Sequence, residues 1–364
     1  MLDLSPLDGV SRLLMTVPLR PLQGDRFQPT GFPSLGAATY QTKEGPKLLV
    51  ESVQSMANRL ETTCWDSATN KPVAVLDGIS HVTVTRKGEF LTDSMLEAHR
   101  LNSPYMLCSS DRAFVDSFLK DMRSGLGEKL IDENEGLISR NEFAKVVLKY
   151  DVGSLIHGVF FASNKVKLHA SAKPSSIAGG RLRIARALSA FIEASNARVA
   201  ANGGVKNDHV HPEKVSGELS ELIGNVPFAR DEYVAERIDC HINLDLAQIR
   251  GYGLGEQVER LLILLALYRV RKLLDGDLRL RTACDLEPLD RDNLVAARPA
   301  GFKLPSLGDL ESAVKTAIAE CHGLMVHTTV TFEDELKKAK DEKKKKGDDD
   351  DSGEDEESEA DNDE

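Results

Sequence analysis

No two of the chain's cysteines are closely spaced. The five, Cys64, Cys108, Cys240, Cys284 and Cys321, are scattered and odd in number. That argues against a zinc site built on paired cysteines and fits free, buried thiols in a reducing compartment. There is no HExxH, no P-loop and no GxSxG, so metalloprotease, phosphate-cradle and nucleophile-elbow chemistry have no motif to rest on. No internal repeat is visible. The most apolar run, residues 261–268, is far shorter than the roughly 20 residues that cross a bilayer. The opening "MLDLSPLDGVSRLLMTVPLRP" lacks the basic start and continuous apolar stretch of a secretory signal. The expectation is a cytoplasmic protein with no membrane partner, no metal and no cofactor.

An excess of basic charge is also missing. The formal net charge is −12, and residues 347–364 carry twelve Asp and Glu with no Lys or Arg. Residues 1–346 are therefore neutral, with 46 groups of each sign. Such a body cannot coat nucleic acid by net charge alone; it needs its cations segregated onto one face. From residue 333 the composition turns to charged low complexity, which predicts a disordered acidic tail over 333–364.

Residues 20–40, "RPLQGDRFQPTGFPSLGAATY", hold three prolines and three glycines together with two arginines, two glutamines and two phenylalanines. The prolines exclude a helix or a central strand, yet the stretch is too aromatic for a plain linker. A strand over 11–22, ended by Pro18 and Pro21, precedes it. An amphipathic helix is expected over 47–66, with Leu49, Val53, Met56, Ala57, Leu60 and Cys64 as its buried stripe and a polar face of Ser52, Ser55, Asn58, Arg59 and Thr62. Strands are expected over 81–86, 153–162, 278–288 and 323–333, and residues 236–253 alternate over part of their length, with Ile238, Cys240, Ile242 and Leu244 pointing one way. Helices are expected over 111–125, 139–150 and 255–276, the last apolar all round and ending in Arg269, Arg271 and Lys272, which suit the helix dipole. Residues 172–196 read as a Gly-Gly turn leading into a basic strand or helix start, and 202–214 as a polar loop.

Candidate chemistry is sparse. Asp208, His209 and His211 could share a metal, but a polar loop that merely contains histidines is the commoner case. His157 could be a general base, although a histidine in an apolar segment is more often a hydrogen-bonded core residue. "GYGLGEQ" (251–257) is an incomplete phosphate loop. More informative is a recurring inventory of arginine forks, short polar groups and aromatics, suited to gripping a single-stranded backbone. It comprises Arg20 and Arg26 flanking the opening loop, whose Phe27 and Phe32 could stack on bases, Arg59 with Ser55 and Asn58, and Arg181, Arg183 and Arg186.

The blocks "VPLRPLQGDRFQPTGFPSLGAATY", "LLVESVQSMANRLE", "GSLIHGVFFAS", "GGRLRIARALSAFIEA" and "GGVKND" resemble the backbone RAMP subunit, the seventh Cas family, of the type I-G (formerly I-U) CRISPR Cascade. They extend over roughly residues 12–288; the tail is not part of the resemblance. It implies an α+β fold: an RNA-recognition-motif (ferredoxin-like) RAMP palm over 1–332, with finger- and thumb-like insertions at roughly 90–235. It implies a non-catalytic subunit that polymerises along crRNA as a helical filament and presents the guide to target DNA. The implied partners are copies of itself, a large subunit, an RNA-processing subunit and a helicase-nuclease. Combined with residue chemistry, it makes Arg20, Gln23, Arg26, Gln28, Ser55, Asn58, Arg59, Arg181, Arg183, Arg186, Lys206 and Asn207 the expected RNA contacts. The alternative is a RAMP endoribonuclease, for which Asp208 and His157 are the candidates.

Overall fold

A computed structural model describes residues 2–32, 36–162, 165–169, 171–207 and 225–333. Its largest sheet is built from β1 (Arg12–Pro21), β2 (Thr39–Thr42), β3 (Gly45–Glu51), β6 (Leu188–Ser195), β9 (Arg237–Asp245), β10 (Leu278–Arg281) and β11 (Cys284–Pro288). The strand order is β10-β11-β1-β9-β6-β3-β2, with every neighbouring pair antiparallel. A helix α1 (Val53–Thr62) lies between β1 and β6 in the chain, and α6 (Glu256–Asp275) between β9 and β11. Strands β1, β6, β9 and β11 with α1 and α6 therefore follow the βαββαβ path, in the spatial order 4-1-3-2 of a ferredoxin-like unit. A hairpin extends the sheet at each edge.

The core follows from alternation. Leu13, Met15, Val17 and Leu19 of β1 sit opposite Leu244, Ile242, Cys240 and Ile238 of β9. These in turn sit opposite Leu188, Ala190, Ile192 and Ala194 of β6. All twelve are buried. Helix α1 adds Met56, Ala57 and Leu60 to the core. Helix α6 is flanked by α1, by α4 (Val152–His157), by α5 (Leu246–Gly251) and by α7 (Leu307–Cys321). Enclosure on every side is why its middle is apolar all round.

A second sheet joins β4 (His81–Arg86) and β5 (Glu89–Asp93) to the last strand, β12 (His327–Thr331), which runs parallel to β4. The expected strand over 323–333 thus lies outside the main sheet, and β11 takes the fourth place in the ferredoxin-like order. Helices α2 (Arg112–Leu126) and α3 (Arg140–Tyr150) begin at Asp111 and Ser139, whose side chains accept from Ala113 and Glu142 N–H; these are ordinary N-caps. A two-stranded ribbon of β7 (Arg198–Asn207) and β8 (Asn225–Val234) precedes β9.

Five local expectations need correction. The helix over 47–66 is shorter: β3 occupies Gly45–Glu51, where Leu48 and Val50 are buried at period two, and Ser52 caps α1. Leu49 is only half-buried and Val53 is exposed, so neither belongs to the helical stripe. Residues 153–157 form α4 rather than a strand; the Asp151 carboxylate accepts from Gly153 N–H, and Gly158 (φ 84) ends the helix. Every residue of α4 is buried, so no periodicity could separate helix from strand. β1 continues through Pro18, and the strand over 278–288 is a hairpin turning at Ala283 (φ 59). Residues 202–207 belong to β7 rather than to a loop.

Candidate nucleic-acid interface

The loop after β1 is stitched down at four places. Leu22 and Gln28 N–H donate to Asp285 and Ala283 carbonyls, Phe27 and Tyr233 exchange a reciprocal backbone pair at 2.9 Å, and Thr30 N–H donates to Val50 O. Phe27 is fully buried; it anchors the loop and is not available to stack on a base, as was expected of it. Residues 23–26 are left as an exposed tip carrying Gln23 and Arg26. Gln28 is half-buried, and its carbonyl accepts from Arg281 Nη1 at 2.9 Å. The side chain of Phe32 lies outside the described residues.

Arg20 stands opposite Glu287 and pairs with it at 2.8 Å. The same face of the sheet holds Arg12–Asp245, Lys47–Glu193 and Arg237–Asp239 pairs. The open face of the sheet is thus charge-balanced across its strands and carries no basic field of its own. Arg59 is committed inward. Its guanidinium donates to the carbonyls of Arg279 and Leu280 and lies 3.5 Å from the buried Glu51 carboxylate, which also pairs with Arg281. Asn58 is exposed on α1 and Ser55 is half-buried beside it.

Arg181 is exposed and donates to the carbonyls of Asn134 and Gly136. Arg183 is exposed on a short strand paired with Val159–Phe160. Arg186 is half-buried and reaches Val53 O, at the first residue of α1, with Nη1 at 3.3 Å. Arg186 thus lies beside the first turn of α1. The side chains of Lys206 and Asn207, and all of Asp208, His209 and His211, lie outside the described residues.

His157 departs from the expected hydrogen-bonded core histidine. It is only 2% exposed, and neither ring nitrogen has a partner among the described residues. Burial first, then the charges of Arg269, Arg100 and Arg186, push its pKa well below the usual histidine value. It lines a pocket of about 350 Å³ with His99, Arg100, Asn102, Phe160 and Arg186. Beneath it Arg100 makes a two-pronged pair with Glu61 and donates to Gly158 O. Arg269 is buried in mid-helix with its Nε 3.3 Å from Cys64 Sγ, so it does not serve the helix dipole as expected. None of Arg100, Glu61 and Asp151 stood out in the sequence. The available signal was Arg269, a charge interrupting a fully apolar helix.

Two other places gather polar groups. At "GYGLGEQ", Gly255 precedes α6, whose first turn carries Glu256 and Glu259, the latter paired with Arg250; carboxylates there oppose a phosphate. A larger cleft, about 640 Å³, is lined by Lys71, Asp77, His81 and His327 among others. In it His81 Nδ1 lies 2.7 Å from buried Asp93, Thr83 bridges Asp93 to His327, and the two imidazoles stack at 4.2 Å. Among the described residues, no group of three or more His, Cys, Asp or Glu is placed to hold a metal, and no helix is long and apolar enough to cross a membrane.

No curated protein sequence matches the chain. Solved structures resemble it only loosely, and two illustrate this. One is a chain of a "CRISPR RNA-guided surveillance complex, pre-nicking", at 13% identity over 76% of this chain and 73% of that one, with a TM-score of 0.35. The other is Csc2 of Thermofilum pendens, at 12% identity over 88% and 80% of the two chains, with a TM-score of 0.29. Superposition this loose carries no weight for mechanism. A family model described as CRISPR-associated protein GSU0053 matches residues 13–199, a little over half of the chain, from the first buried residue of β1 into the ribbon. The protein belongs to this CRISPR-associated family.

Proposed function

We propose that the chain is a non-catalytic backbone subunit of a type I-G CRISPR surveillance complex in the cytoplasm, polymerising along crRNA and presenting it to target DNA. Family membership carries this reading. The βαββαβ core supports it, being a common platform for RNA; in this reading residues 1–332 form the RAMP palm, with insertions at roughly 90–235. The exposed tip with Gln23 and Arg26, Ser55 and Asn58 on α1, and Arg181, Arg183 and Arg186 then form the track for the guide. Arg20 and Gln28 flank it, Arg59 supports it from below, and Lys206 and Asn207 of the ribbon are assigned to it as well. A large subunit, an RNA-processing subunit and a helicase-nuclease complete the partners. The test is to express the chain with its CRISPR array and neighbouring processing subunit, then sequence the nucleic acid that copurifies. A discrete repeat-spacer RNA in a particle much larger than the monomer is expected; a clean monomer without RNA overturns the reading.

The second reading is an endoribonuclease. His157 has its ring inside the protein in the neutral form, and Asp208 is outside the described residues. The His81–Asp93 pair beside Lys71 is better suited to move a proton. Cleavage of precursor RNA by the purified chain, lost in His81→Ala and kept in His157→Ala, would favour this reading.

A further inference from the structure

The pocket at His157 has a composition that points to one ligand chemistry. Among the described residues its lining contains two arginines, two histidines and one asparagine, and no carboxylate. The carboxylate nearest in the network, Glu61, is already engaged by Arg100 through both oxygens. Arg186 has one donor on Val53 O, while its buried Nε has no partner. His157, nine-tenths and more buried, offers two ring nitrogens that nothing among the described residues meets. Buried polar atoms without partners are rare in folded proteins, and a ligand is one of the standard reasons for them. The rim is held tightly: Gly158 takes φ 84, and a Cβ there would stand 2.8 Å from Ile184 O. Phe160 lies over it, 53% exposed. The volume, about 350 Å³, is at the small end of ligand pockets (roughly 300–1,000 Å³) and exceeds what a bare phosphate needs.

We propose that this pocket binds a phosphate group borne by a nucleotide, with the Arg186 fork and the His157 ring N–H donating to its oxygens and Phe160 flanking the attached sugar or base. Arginine's planar fork matches phosphate geometry, and charge-assisted bonds to it are about twice as strong as neutral ones. The site opens beside the first turn of α1 and next to Arg183, so a backbone phosphate of bound RNA is one source and a free phosphate or mononucleotide the other. The first source rests on the proposed function; the pocket itself does not.

The test follows the histidine-ring NMR signals of the full-length protein during titration with inorganic phosphate and, separately, with a short oligouridylate. The His157→Gln variant identifies the His157 signal. That signal is expected to move with both probes, and Arg186→Gln to weaken both responses about tenfold, the effect of losing one charge-assisted pair. Arg186→Lys, which keeps the charge but loses the fork, is expected to recover only part of it, and thermal melting shows that each variant is folded. Movement with phosphate alone supports the pocket and detaches it from RNA. If RNA copurifies with the protein while His157 stays silent to both probes, the pocket assignment is overturned and the functional reading stands. If no RNA copurifies but phosphate moves His157, the functional reading falls and the pocket stands.

Discussion

Arg100 and Glu61 face each other inside the protein, Nε to Oε1 at 2.7 Å and Nη2 to Oε2 at 2.5 Å, both residues buried. The pair fixes the end of α1 to the segment before α2, and through Gly158 O it reaches the end of α4. Arg100 does this from the left-handed region, φ 49, which non-glycine residues rarely occupy. Removing one partner strands the other as a buried charge. Glu61→Ala or Arg100→Ala is expected to cost about 3–5 kcal/mol, and the double variant less than the two singles added together. Urea unfolding of the four proteins measures the coupling; strict additivity would show the pair to be inert.

Phe27 and Arg26 are chain neighbours with opposite duties. Phe27→Ala opens a cavity under the loop and is expected to lower stability by about 3–5 kcal/mol. Arg26→Ala, on the exposed tip, is expected to leave the melting temperature unchanged and weaken RNA binding. The slope of log affinity against log salt should then fall by somewhat less than one, as for one lost phosphate contact on a single strand. An unaltered slope with Arg26→Ala would remove the tip from the RNA track.

The parts of the fold that could be read from sequence were those with one clean period. The row Ile238, Cys240, Ile242 and Leu244 showed at period two, and the all-round apolar α6 announced its own enclosure. What escaped was context. Leu48 and Val50 alternate for only a few residues before Ser52 begins α1, so strand and helix merged into one apparent helix. α4 is buried on every side, and neither period survives there. The arginines were legible as a type but not by direction. Arg59 and Arg183 look alike in the chain, yet one is tied to β10 carbonyls and the other faces solvent. Buried pairs such as Glu61–Arg100 are assembled from residues 39 positions apart, and a lone Glu on a helix reads as a solvated face until the fold brings its partner.

Asp151 and His157 bracket α4 and titrate in opposite senses. Burial raises the Asp151 pKa to about 6 against the pull of Ser154 and Arg100, with Glu61 and Asp93 adding to the rise. A raised carboxylate contributes stability that is present below its unfolded value of 3.8 and is lost as pH rises through about 6. His157 is lowered, so its contribution is present above its unfolded value of 6.5 and is lost as pH falls through the folded pKa. Asp151→Asn keeps the helix cap and removes the first effect. It is expected to gain on the wild type by on the order of 2–3 kcal/mol between pH 4 and pH 8. His157→Gln removes the second effect and is expected to lose less stability than the wild type below pH 6.5. Denaturant midpoints across this range test both, and parallel curves for all three proteins would contradict the assignment.

The acidic segment 347–364 holds twelve carboxylates, while the preceding chain is formally neutral. On any basic track of the body, RNA therefore competes with a polyanion tethered to the same molecule. Tethering keeps the effective concentration of that competitor high whatever the dilution. Truncation before Gly347 is expected to leave the melting temperature unchanged, to tighten binding of non-cognate RNA several-fold at low salt, and to tighten the cognate guide less. The difference should vanish near 1 M salt, where the Debye length is about 3 Å. Filter binding of guide and scrambled RNA to the full and truncated chains, at two ionic strengths, separates the outcomes. A gain that persists at high salt would mean that the segment acts through contacts rather than charge, and equal affinities at low salt would mean that it does not compete at all.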